Sequence, residues 1–133
     1  MQVVVFKVNE EQFAVEASKV QSINDMMEIT KVPKSEDYIK GLINLRGTII
    51  SLLDINLLLN IENAAESQEN IIILKLEEES VGVTVDQVDE VLEIEEDQIE
   101  KVENERDKGY IRGVINFKDR IVTLIDINKL IER

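Results

Sequence analysis

The chain of 133 residues has no cysteine, no histidine and no tryptophan, a single proline and few aromatics, 4% in all. Without cysteine there is no disulfide framework, which fits a reducing compartment. Zinc sites built on Cys or His cannot form, and neither a cysteine nucleophile nor an imidazole general base is available. Carboxylates remain for hydrolysis or magnesium chemistry. No window approaches the ~18 apolar residues of a membrane-spanning helix. The opening MQVVVFKVNEEQF lacks both the basic region and the apolar core of a signal peptide. Direct insertion into a membrane is therefore not expected.

Basic side chains are also scarce, 15 against 28 acidic ones, giving a net charge of −13. Residues 1–66 carry 6 basic and 10 acidic groups, and residues 67–133 carry 9 and 18. Such a charge repels phosphate backbones and anionic headgroups, which argues against nucleic-acid binding.

What is abundant is Ile, Val and Leu. Apolar residues make up 44% of the chain, and the β-branched bias favours strands. The chain also repeats itself. YIKGLINLRGTIISLLDINLLL (38–59) and YIRGVINFKDRIVTLIDINKLI (110–131) are identical at 11 of 22 positions, at an offset of 72. Upstream, VFKVNEEQFAVEASKVQSI (5–23) and ILKLEEESVGVTVDQVDEV (73–91) share one layout at an offset of 68. An insertion therefore falls within the acidic stretch 92–109. Two copies imply a pseudo-two-fold molecule with a seam between its halves.

Each copy reads as about five short strands. In the first, 2–8 and 13–17 are strands around the polar turn 9–12. Ser18 is placed to cap a helical turn over 19–24, and 29–32 forms a further strand before Pro33. Residues 39–46 and 48–53 then form a hairpin pivoting on Gly47. Asp54 and Asp126, the shared aspartates, each precede Ile-Asn and a short apolar run. An acid–base pair is conceivable, but helix N-capping explains both better. Residues 62–70 read as a linker. The expected fold is all-β: two small closed barrels, with subdomains over about 1–66 and 67–133. Exchange of strands between them is left open.

The five glycines match no phosphate-binding fingerprint and read as turns and close packing. Residues 86–107 hold eleven carboxylates and two basic groups but no calcium-loop pattern, so a solvated acidic surface is expected. No cofactor or metal is expected.

Residues 32–55, VPKSEDYIKGLINLRGTIISLLDI, resemble the CheW family, the coupling proteins of bacterial chemotaxis. The resemblance rests on Val32 with Pro33, on Gly41, on the run Asn44, Leu45, Arg46, Gly47, and on Asp54 after an apolar strand. Tyr110, Ile111, Arg112, Gly113 and Asp126 continue it, and it covers Val3 to Ile131. It implies one domain over 1–133 made of two SH3-like five-stranded barrels with a few short helical turns. It also implies a non-enzymatic adaptor that links a CheA-type histidine kinase, through its regulatory domain, to the cytoplasmic tips of chemoreceptors. Such a protein is cytoplasmic and recruited to membrane receptor arrays. An adaptor domain of a larger protein, CheV-type or a kinase regulatory domain, is the alternative. The chain departs from the family pattern at Ser22, where many relatives place a Glu that pairs with the arginine of NLRG, and at Ser51, where many have proline.

The resemblance implies receptor contacts at Val4, Ala17, Val20 and Arg46, the first three being equally readable as core. Kinase contacts are expected at Glu28, Ile29, Thr30, Val32, Asn44, Arg46 and Gly47. Arg46 offers a fork of donors suited to carboxylates or carbonyls at an interface, or else simply sits in water at a hairpin end. Met26 and Met27 are flexible side chains suited to an adaptable contact.

Overall fold

A computed structural model describes residues 1–61, 68–101 and 109–131. Most of the expected linker and part of the 92–109 insertion lie outside these. Among the described residues, eleven strands form two sheets. The first copy supplies β1 (Gln2–Val8), β2 (Glu11–Glu16), β3 (Val20–Asp25), β4 (Ile39–Leu45), β5 (Thr48–Asp54) and helix α1 (Ile55–Leu58). The second supplies β6 (Asn70–Lys75), β7 (Ser80–Val85), β8 (Gln87–Glu93), β9 (Ile99–Glu100), β10 (Ile111–Asn116), β11 (Ile121–Ile125) and helix α2 (Ile127–Ile131). The fold is all-β with a few short helical turns, two SH3-like barrels side by side.

The sheets do not follow the sequence halves. One has the order β3-β6-β7-β5-β4 and the other β8-β1-β2-β11-β10-β9. Each copy thus gives its first hairpin to the barrel built from the later strands of the other copy. The exchange is reciprocal to the residue. Val20 faces Leu74 and Ser22 faces Ile73, while Val88 faces Phe6 and Glu90 faces Val5. Each barrel also contains one parallel ladder, β5 with β7 and β11 with β2.

Three apolar clusters hold this arrangement. The five-stranded barrel is filled by Ile43, Ile50, Leu52, Ile71 and Ile73. The six-stranded barrel is filled by seven residues, among them Val3, Val5, Ile115 and Leu124. The largest cluster, 17 buried residues, lies in the seam between the barrels. Alternation along single strands feeds two clusters at once. Val3 and Val5 point into one barrel while Val4, Phe6 and Val8 point into the seam. Ile71 and Ile73 enter the other barrel while Ile72 and Leu74 enter the seam. Both faces of β1 and β6 are therefore buried, which is why VVVF and IIIL are unbroken apolar runs.

The aspartates cap as expected. Asp54 Oδ1 accepts from the Asn56 N–H at 3.0 Å and Asp126 Oδ1 accepts from the Asn128 N–H at 3.1 Å. The helical turn expected over 19–24 is instead strand β3, preceded by a single 3-10 turn at Ala17–Lys19. A bulge at Gln21 explains the difference. It puts Val20 and Ile23, three apart as on a helix, on one face of a strand. The strand expected at 29–32 is a single bridge, Thr30 with Leu42.

Candidate protein–protein interface

The β4–β5 hairpin is closed by Arg46 and Gly47, with φ of 53° and 89°. A two-residue turn with both central residues at positive φ matches the twist of the flanking strands. Asn44 Oδ1 accepts from the Gly47 N–H at 2.8 Å and braces the turn. Arg46 is exposed and makes no ion pair among the described residues. Neither Asp25 nor Glu28 reaches it as a salt-bridge partner.

Residues 28–32 are docked beside this hairpin. Thr30 donates to the Leu42 carbonyl at 2.9 Å, and Leu42 donates back to Thr30 at 2.8 Å. The contact is possible because Gly41 has no side chain. A Cβ there would lie 2.3 Å from the Thr30 carbonyl oxygen and 2.7 Å from the Ile29 side chain. Gly113 plays the same part in the second copy, where a Cβ would lie 2.5 Å from the Glu100 carbonyl oxygen. Ile29 turns inward onto the barrel interior, with Met26 and Met27 packed there too, so the methionines are not free loop side chains. Glu28, Thr30 and Val32 stay exposed. The hairpin register adds Ile49, opposite Asn44 and 61% exposed.

The four residues expected at the receptor are spread more widely. Val4 is buried in the seam at 3%, flanked by Val15 and Val91 in register. Ala17 and Val20 are half-buried and pack against the seam cluster. Arg46 belongs to the β4–β5 end, and no hydrogen bond or ion pair joins it to the other three.

The sequence reading missed the exposed apolar residues that repeat between copies. Ile49 and Ile121 are equivalent, exposed at 61% and 59%, and Ile23 and Val91 are equivalent, at 41% and 53%. Their recurrence at matched positions was a usable signal. The electrostatics of the two ends differ. In the second copy Arg120 pairs with Glu90 and stacks over Phe117 at 5.2 Å, and Arg112 pairs with Glu16. The equivalents of Glu90 and Arg120 are Ser22 and Thr48, so no such pair spans the first copy. Ser22 Oγ accepts instead from the Asn24 side-chain amide at 2.9 Å. Among the described residues no cluster of three or more metal-ligating side chains exists, and no helix is long and apolar enough to cross a membrane. An apolar residue beside an unpaired guanidinium, on a braced hairpin, is chemistry for docking against another protein.

A family model described as the CheW-like domain matches residues 2–133. The chain is 32% identical to the chemotaxis protein CheW of Thermotoga maritima, over 98% of this chain and 87% of that protein. It is 31% identical to the chemotaxis protein CheW of Bacillus subtilis, over 98% and 86%. Among solved structures, the scaffolding protein TtCheW of Thermoanaerobacter tengcongensis superposes with a TM-score of 0.88 at 29% identity, covering 99% of this chain and 88% of that one.

Proposed function

The chain belongs to the CheW family of non-enzymatic chemotaxis scaffold proteins, and from that premise we propose that it links a CheA-type histidine kinase to the cytoplasmic tips of chemoreceptors. The kinase regulatory domain docks on the first-copy hairpin and the segment bridged to it, through Glu28, Thr30, Val32, Asn44, Arg46, Gly47 and Ile49, with Ile29 supporting from beneath. A receptor helix lies along the seam edge at Ala17 and Val20, over Val4. The protein works in the cytoplasm and reaches the membrane through its receptor. Its mechanism is geometric: holding both partners at once raises their effective concentration, and receptor changes bias the kinase through the fixed orientation.

The observation that carries this reading is the braced β4–β5 turn, which presents Arg46, without a carboxylate partner among the described residues, near the exposed Ile49. Co-sedimentation of kinase with receptor-bearing membranes is the test. Adding the protein should raise kinase recovery and change phosphorylation, and no effect on either would end the coupling reading. In a pull-down with a kinase regulatory domain, Arg46→Glu should weaken capture about tenfold, a charge-pair effect of ~1.4 kcal/mol. Equal capture would remove Arg46 from the interface.

A further inference from the structure

Among the described residues the chain crosses between the barrels at two places, the 3-10 turn Ala17–Lys19 and Asp86. By connectivity, the described strands and helix of the five-stranded barrel all fall between residues 20 and 85, set into a six-stranded barrel built from both ends of the described chain. Such an arrangement invites the expectation of an inserted unit that opens and closes by itself. The buried surface says otherwise.

Of the 17 buried residues in the seam, nine belong to the five-stranded barrel and its helix, including Leu53, Leu58, Ile72 and Val83. That barrel's own interior holds five. Eight seam residues belong to the six-stranded barrel and its helix, against seven in its interior. Parting the barrels would therefore expose more buried apolar side chains on each side than either would keep. The apolar burial lost in that parting would exceed the small net margin by which a domain of this size is stable. We propose that the two barrels form one cooperative unit with no independently stable part, so that a disturbance or a ligand on either barrel is felt equally by both. This holds whichever partners dock on the hairpins.

Native-state hydrogen exchange on the full chain tests it. Ile73→Val trims only the five-stranded interior, and Val122→Ala trims only the six-stranded one. Ile73→Val should speed exchange of the slowest amides about twofold to tenfold, by the same factor in both sheets. Val122→Ala should likewise act equally on Ile50, Leu52 and Leu124. Acceleration confined to the sheet that carries the substitution would overturn the proposal. Should a variant not fold, the wild type suffices. With rising urea, the slowest amides of both sheets should merge onto one opening curve, and two separate curves would overturn it.

Discussion

Arg46 and Gly47 share the centre of one turn at different energetic cost. Glycine adopts positive φ freely, whereas an L-residue such as Arg46 at 53° is strained by roughly 1–2 kcal/mol. An arginine held there with no ion-pair partner among the described residues points to use of its guanidinium outside the chain. Arg46→Gly should raise stability by about 1 kcal/mol, read as a higher urea midpoint at unchanged slope, while weakening kinase capture. A variant that is both less stable and fully competent to bind would refute this account. Arg46 and Gly47 were legible from the sequence as a hairpin end. Ile49 was not, because TIISLLD has apolar residues on both faces and only the fold leaves one of them in water.

The element that positions the candidate interface is the bulged start of β4. Gly41 lets the backbone of Thr30 close onto Leu42, with a Cβ distance of 2.3 Å that no shift of a side chain can relieve. Gly41→Ala should cost about 3 kcal/mol and detach residues 28–32. Gly47→Ala meets nothing within 4 Å and should cost only about 1 kcal/mol, the left-handed strain alone. Equal losses in parallel urea melts would show that the close approach is not what Gly41 provides. The repeat made Gly41 and Gly113 recognisable as scaffold before any contact was known. Their partners were harder to see, since Ile29 with Thr30 and Ile99 with Glu100 are related by an offset of 70 that matches neither repeated block. Strand β3 was misread for a local reason. A bulge at Gln21 writes a three-residue apolar spacing into a strand, and the same spacing is a helical signature.

For the whole molecule, the seam rather than either barrel interior is the main core. Leu58 is fully buried there, on the short helix capped by Asp54. Leu58→Ala should cost about 2–5 kcal/mol in a single transition followed equally by circular dichroism and tyrosine fluorescence, a large share of total stability. Probe-dependent midpoints would contradict it. Among the described residues no charged side chain is buried in this core, and the two ends are not alike. The second copy ties Arg120 to Glu90, where the first has Thr48 and Ser22, and Arg46, whose counterpart is Lys118, makes no ion pair among the described residues.

Apart from strand β3 and the bridge at Thr30, the amino-acid sequence by itself determined the all-β class and most of the elements. It did so through β-branched runs, polar turns, two capping aspartates, and a repeat that announced two copies of one unit. These are local signals, carried by neighbours a few residues apart. Only the tertiary structure decided which strands meet. Val122 pairs with Gln12, and Ile72 with Ile23, across long separations. A strand keeps the same apolar pattern whichever partner lies beside it, so hairpin exchange leaves no local trace. Exposure was settled at the same stage. Val4 and Val91 face each other in register, yet one is buried in the seam and the other lies open at a sheet edge, because only β1 has a strand on both sides.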